Sequence, residues 1–167
     1  MADFQPAFER LIRDEGGYVL HTVPGDRGGQ TFAGIARNAH PKWSGWSEVD
    51  AGRTPPAQAV FDFYRQEFWQ RMRGEELTHQ AIASDIFNFY VNAGAAALKL
   101  AQLVVGATPD GVFGPRTVAA LNAADPERFV LAYALAKIAR YRDIVTRDRS
   151  QQQFLLGWIN RTLAGVI

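Results

Sequence analysis

Turn-forming residues are concentrated in one stretch of this chain, residues 16–36, and nearly all of the remaining sequence carries helical patterning. Gly16-Gly17 is predicted to end the first helix, and residues 18–36, which contain Pro-Gly-Asp-Arg-Gly-Gly at 24–29, are predicted to form a loop or a short β-hairpin. Outside it, the periodicity predicts helices over residues 4–15, 56–72, 79–93, 96–105, 115–121, 125–147 and 150–164. We therefore expect a mainly α protein, a helical bundle with one small loop or hairpin next to the N-terminal helix.

The composition is typical of a folded globular protein. Hydrophobic residues make up 47% of the 167 residues and charged residues 21%, so the chain is long and apolar enough to bury one substantial core. The 18 basic and 17 acidic residues leave a net charge of +1, without the strong positive field that a nucleic-acid binder needs. The absence of cysteine excludes disulfides and thiolate metal sites.

The most informative charged residue is Glu15, at the end of the first predicted helix. At 100° per residue from Phe4, Phe8 and Leu11 fall at about 40° and −20°, and Glu15 falls at about 20°, on the same apolar face. Burial disfavours the charged form of a carboxyl and raises its pKa, which suits a general acid for glycosidic bond hydrolysis. The alternative is a residue at the helix end that forms a surface ion pair, and periodicity alone leaves both open.

Several separated blocks of the sequence together form a recognisable pattern. The first is Glu-Gly-Gly-Tyr-Val at residues 15–19, followed by Pro-Gly-Asp-Arg-Gly-Gly-Gln-Thr at 24–31 and Gly-Ile at 34–35. The others are Phe-Asn-Phe-Tyr-Val-Asn-Ala-Gly at 87–94 and Asp-Gly-Val-Phe-Gly-Pro-Arg-Thr at 110–117. The blocks up to residue 94 resemble glycoside hydrolase family 108, which comprises muramidases of phages and of bacterial secretion loci, and the last block resembles the associated peptidoglycan-binding region. Together these blocks cover nearly the whole chain in the right order.

The resemblance implies a lysozyme-like α+β fold and an N-acetylmuramidase that cleaves the β-1,4 bond between N-acetylmuramic acid and N-acetylglucosamine. Residues 1–93 would form the catalytic region, with a helical peptidoglycan-binding-like region at 94–167 packed on it as one compact unit. Glu15 would be the general acid, with Asp26 and Thr31 orienting a water or stabilising the oxocarbenium-like transition state. Asp26 is also explained as a turn residue and Thr31 as a strand residue, and retention or inversion stays open.

Three residues of the resembling blocks are candidates for substrate binding: Tyr18, Gln30 and Asn92. Tyr18 could stack on a sugar or pack beneath the hairpin. The amide of Asn92 could bond an N-acetyl or peptide group, or it could be an ordinary polar residue at a helix end. The family commonly has an acidic residue where Asn88 stands, which puts any substrate contact at that position in doubt.

No metal site or cofactor is expected. The three histidines are scattered and no His-Glu-x-x-His motif occurs, which argues against a zinc amidase or peptidase acting on the same polymer. A lytic transglycosylase and a noncatalytic cell-wall-binding accessory module remain alternatives to the muramidase.

Peptidoglycan is the expected partner, and it lies outside the cytoplasm. The N-terminal residues lack a basic segment followed by an apolar one, and no window approaches about 18 uninterrupted apolar residues, so neither a Sec signal nor a membrane span is expected. We expect a monomer made in the cytoplasm that a holin or a secretion apparatus releases to the periplasm or cell wall. Lysis by a phage endolysin and wall loosening for secretion both fit this route.

Overall fold

A computed structural model describes residues 1–22 and 29–166. The chain divides into two compact units: Asp3–Arg71, and Met1–Ala2 together with Met72–Ile167. The division expected from the resemblance, between residues 93 and 94, stays a prediction. Within the described residues, no helix combines the length and apolar character needed to cross a membrane.

The unit Asp3–Arg71 contains a small sheet as well as helices. Among its described residues, the helices and strands are α1 (Phe4–Asp14), β1 (Leu20–Thr22), β2 (Gln30–Phe32), β3 (Ile35–Ala36), α2 (Trp46–Asp50) and α3 (Ala57–Tyr64). The three described strands pair antiparallel in the order β1-β2-β3, so the loop or short hairpin predicted over residues 18–36 contains a three-stranded sheet.

Local capping sets both ends of α1. The Asp3 carboxylate accepts a hydrogen bond from the Gln5 N–H at 3.0 Å, satisfying one of the donors exposed at the helix start. At the other end, the Gly17 N–H donates to the Ile12 carbonyl at 2.9 Å and Gly16 adopts a φ of +83°, the arrangement of a Schellman cap. The helix therefore stops at Asp14, and Glu15 is its C-terminal cap residue.

Aromatic residues join α1 to α3 and to the turn that follows α3. The ring of Phe4 lies 4.8 Å from that of Phe61 and 5.4 Å from that of Trp69. The helix predicted over residues 56–72 is confirmed only in part, because the α-helix gives way to a π-helical turn over Arg65–Trp69. A π turn is closed by hydrogen bonds between residues five apart and is wider than an α-helical turn, and Tyr64 and Trp69, five residues apart, are each at most 1% exposed.

The unit containing Met72–Ile167 is helical. The predicted helices of this region are confirmed as α4 (Gln80–Ala93), α5 (Ala95–Val104), α6 (Pro115–Ala123), α7 (Pro126–Arg147) and α8 (Leu155–Leu163), the last of which begins five residues later than predicted. Helix α7 packs against α4, α5 and α8 and forms the centre of this unit. Short 3-10 segments precede α4 and α8.

Several polar side chains are buried among these helices. Lys137 of α7 donates to the Asp85 carboxylate of α4 at 2.5 Å, and the two residues are 4% and 8% exposed. Gln102, 1% exposed, donates to the Asp110 carboxylate at 2.7 Å and accepts from the Gly111 N–H at 2.8 Å. The Gln102 amide thereby holds the Asp110-Gly111 turn, and this hydrogen bond lowers the pKa of Asp110.

Candidate functional site

Glu15 lies half-buried at the end of α1, next to the turn that joins β2 to β3. Its N–H donates to the Leu11 carbonyl at 2.9 Å, so the backbone is still held by the helix. The side chain reaches the α-carbon of Gly34. A Cβ placed on Gly34 would stand 3.0 Å from Cγ and 3.1 Å from Cδ of Glu15. The carboxyl therefore lies against backbone that carries no side chain.

The turn beside Glu15 is a two-residue hairpin loop, Ala33-Gly34, between the paired residues Phe32 and Ile35. Both turn residues have positive φ, +47° at Ala33 and +80° at Gly34, as type I′ turns require. Glycine adopts this conformation freely, whereas alanine does so under strain. Glycine therefore suits position 34 for two reasons: it adopts the left-handed conformation freely, and it leaves space for the Glu15 carboxyl.

Tyr64 also borders the empty Cβ position of Gly34. Its hydroxyl would lie 2.6 Å from a Gly34 Cβ and donates to the Ala33 carbonyl at 2.9 Å. Burial raises the pKa of Tyr64 well above its ordinary value, and the negative charge of Glu15 raises it further, so the phenol stays protonated. Glu15 and Tyr64 are therefore neighbours across one glycine.

Thr31 lies half-buried in β2, directly opposite His21 of β1 and Ala36 of β3. Because side chains alternate along a strand, Thr31 faces away from the side on which Phe32 is buried. Asp26, the second predicted carboxylate, lies outside the described residues. The catalytic roles of both residues stay predictions.

Gln30 takes part in an ion-pair network of the same unit. Its side-chain amide oxygen accepts a hydrogen bond from the Arg37 guanidinium at 2.7 Å. Arg37 also binds both carboxylate oxygens of Asp50 at 2.7 Å and lies over the ring of Trp46, 5.2 Å from its centroid. This gives Gln30 a structural role, and its predicted contact with substrate remains untested.

Tyr18 is 41% exposed, consistent with either of its predicted roles. It borders a shallow cleft of about 270 Å³ that Phe32 and Arg53 also line. A ring exposed to this extent is available for stacking on a sugar, and that use stays a prediction.

Asn92 belongs to the other compact unit, where both the nitrogen and the oxygen of its side-chain amide form hydrogen bonds with protein groups. Its nitrogen donates to the Asn88 carbonyl at 2.9 Å, and its oxygen accepts from the Arg161 guanidinium at 2.7 Å. A side-chain amide has two N–H donors and two acceptor lone pairs, so these two bonds do not use the full hydrogen-bonding capacity of Asn92. The side-chain amide nitrogen of Asn88 donates to the Ser84 carbonyl at 2.9 Å, while the side-chain amide oxygen of Asn88 is buried without a hydrogen-bond partner among the described residues.

The sequence analysis selected Glu15 as a candidate but not Tyr64, the residue whose hydroxyl lies beside it at Gly34. Gly34 appeared only as part of a resembling block, and no local pattern distinguished Tyr64 from the other aromatic residues of its helix. Among the described residues, no group of three or more His, Asp or Glu side chains is close enough to hold a metal ion.

The model of the family described as glycosyl hydrolase 108 matches residues 8–94, just over half of the chain. The chain belongs to glycosyl hydrolase family 108. In this family 108 protein, a second model, described as a predicted peptidoglycan domain, matches residues 96–163.

A solved structure supports the same classification. The structure of Brucella abortus SagA is similar, with 26% sequence identity, a TM-score of 0.67, and coverage of 98% of this chain and 95% of that one. No curated protein sequence matches. The mainly α, lysozyme-like α+β fold class expected from the resemblance is thereby confirmed for this family 108 protein.

Proposed function

We propose that this protein is an N-acetylmuramidase that hydrolyses the β-1,4 bond between N-acetylmuramic acid and N-acetylglucosamine in peptidoglycan. The observation that carries the proposal is the carboxyl of Glu15, held at the end of α1 against the bare backbone of Gly34. Membership of a glycosyl hydrolase family and the match to a peptidoglycan domain support the choice of substrate.

In this proposal Glu15 acts as the general acid. Its carboxylic proton passes to the glycosidic oxygen as the bond from the muramic acid C1 to that oxygen breaks, leaving positive charge on the sugar ring. Water adds to C1 and loses a proton. Asp26 would accept that proton or stabilise the positive charge, and Thr31 would orient the water.

Mass spectrometry of digested peptidoglycan tests the reaction directly. Hydrolysis in H₂¹⁸O should produce muropeptides with a reducing muramic acid end that carries one heavy oxygen. Glu15→Gln should lower the rate by about 10² to 10⁴-fold, the usual contribution of general acid catalysis. Glu9→Gln is the matched control, since Glu9 is exposed on the same helix and should retain full activity. Undiminished activity in Glu15→Gln would contradict the assignment.

The same digest tests Asp26 and Thr31, the proposed partners of Glu15 in the reaction. Asp26→Ala should lose most of the activity, and Thr31→Val, which keeps the shape of the side chain without the hydroxyl, should lose a smaller part. A rate close to that of the wild type in either variant would remove that residue from the mechanism.

The products also separate muramidase from its alternatives. A lytic transglycosylase uses the muramic acid C6 hydroxyl in place of water, so 1,6-anhydromuramic acid without ¹⁸O would replace the reducing ends. A noncatalytic accessory module would sediment with sacculi but release no products.

The biological setting proposed is cell lysis or wall loosening for secretion, with action in the periplasm or cell wall by a monomer. Because the substrate lies beyond the inner membrane, release would depend on a holin or a secretion apparatus. Expression in the cytoplasm should leave cells intact until a holin is co-expressed, and Glu15→Gln should then abolish lysis. Lysis without any holin would contradict this route. Size-exclusion chromatography with light scattering tests the monomer.

A further inference from the structure

Tyr64 has a buried side chain, and its hydroxyl forms a hydrogen bond with a distant backbone carbonyl. Its ring is 1% exposed and packs against Phe8, Phe63 and Phe68, with centroids 6.1, 5.2 and 5.8 Å away. The hydroxyl projects from this aromatic cluster to the Ala33 carbonyl, 31 residues earlier in the chain. This bond ties α3 to the turn between β2 and β3.

The turn that accepts this bond is under strain. Ala33 has a φ of +47°, a left-handed conformation that costs a residue with a Cβ about 1 to 2 kcal/mol. Such a conformation persists where the surroundings fix it, and strained residues concentrate at functional sites. Ala33 is 1% exposed, and besides the Tyr64 bond to its carbonyl, its N–H donates to the Val19 carbonyl at 3.3 Å.

The geometry of Gly34 links this turn to the catalytic carboxyl. The same Cβ position is 2.6 Å from the Tyr64 hydroxyl and 3.1 Å from Cδ of Glu15. A shift of the turn by a few tenths of an ångström would therefore change the space in which the carboxyl lies. Catalysis is sensitive to such shifts, since misplacement by about 1 Å costs roughly 10²-fold in rate.

We propose that Tyr64 is a positioning residue for Glu15: its hydroxyl holds the strained Ala33-Gly34 turn, and this turn fixes where the carboxyl sits. The proposal rests on the muramidase function proposed above. Tyr64 acts through the turn and takes no part in proton transfer, because its one hydrogen is committed to the Ala33 carbonyl.

The test is Tyr64→Phe, which keeps the buried ring and removes only the hydroxyl. With soluble glycan strands prepared from peptidoglycan by amidase treatment, kcat should fall by about 10 to 10²-fold, while KM changes less than about twofold. Loss of kcat at constant KM indicates that the transition state, rather than substrate binding, is affected.

Tyr133→Phe is a matched control. Tyr133 is also fully buried and donates to a backbone carbonyl, that of Ala97, at the same distance of 2.9 Å, but it lies in the other compact unit. It should lose stability without losing kcat. If Tyr64→Phe loses stability and keeps kcat in the same way, Tyr64 is merely structural and the proposal is wrong.

A second variant covers the case in which Tyr64→Phe folds poorly. Ala33→Gly relieves the left-handed strain, so the double variant Ala33→Gly/Tyr64→Phe should recover stability. Its kcat should stay at least tenfold below that of Ala33→Gly alone, because the carbonyl is still not held. Equal kcat in these two variants would overturn the proposal. If the proposed muramidase function itself is wrong, the wild-type protein will release no reducing muramic acid ends. This outcome differs from a failure of the positioning role of Tyr64, in which the wild type remains active.

Discussion

Gly34→Ala would place a methyl group in the gap between the Tyr64 hydroxyl and the Glu15 carboxyl. Contacts of 2.6 Å to the hydroxyl and 3.0 Å to Cγ of Glu15 are shorter than van der Waals separations, so both side chains must move. Overpacking of this kind costs about 1 to 3 kcal/mol, and the φ of +80° adds about 1 kcal/mol of backbone strain. We expect a loss of about 2 to 4 kcal/mol in unfolding free energy and a 10²-fold or greater loss of kcat.

The comparison variant is Gly52→Ala, in the same compact unit. Gly52 has a similar φ of +72°, but no heavy atom lies within 4 Å of its would-be Cβ. It should therefore show the backbone strain alone, about 1 kcal/mol, with kcat unchanged. Urea unfolding gives the free energies and release of reducing ends gives kcat. The reasoning is refuted if Gly34→Ala resembles Gly52→Ala in both measurements.

The double variant Gly34→Ala/Tyr64→Phe separates the two contacts of the methyl group. Removing the hydroxyl eliminates the 2.6 Å contact, so the double variant should be more stable than the sum of the single changes by at least about 0.5 kcal/mol. Its kcat should remain low, because the contacts with Glu15 are still there. Additive free energies would show that the methyl group does not meet the hydroxyl.

Two further predictions concern the other compact unit. Lys137→Met should cost about 3 to 5 kcal/mol in urea unfolding, because the Asp85 carboxylate, 8% exposed, loses its cation; a cost below about 1 kcal/mol would contradict this. Asp110 has a pKa lowered mainly by Gln102, so its contribution to stability is present above the ordinary value of 3.8 and is lost as the pH falls through the lowered value. At pH values above this window, Asp110→Asn should therefore have a lower melting temperature than the wild type. As the pH falls through the window, the melting temperature of Asp110→Asn should fall less than that of the wild type. An equal fall in both proteins would exclude this role of Asp110.

The sequence by itself determined the features that local interactions create. The end of α1 at Asp14 follows from hydrogen bonds among residues 11–17 and from the positive φ of Gly16, so Gly16-Gly17 was sufficient to place Glu15 at a helix terminus. The helices from Gln80 to Leu163 follow from apolar periodicity in the same way. These patterns depend on neighbours within a few residues, which the sequence lists directly.

Only the tertiary structure shows which groups lie next to the Glu15 carboxyl and which groups bond the other candidate residues. The bond from Tyr64 to Ala33 spans 31 residues, and the pairing of Asn92 with Arg161 spans 69. Periodicity gives the face of a helix on which a side chain lies but not the group that meets it there. The π turn at Arg65–Trp69 also interrupts the 3.6-residue period, so helical periodicity does not predict the burial of Trp69. The position of Glu15 at a helix end could be read from the sequence, whereas the turn and the phenol beside it depend on how distant segments pack.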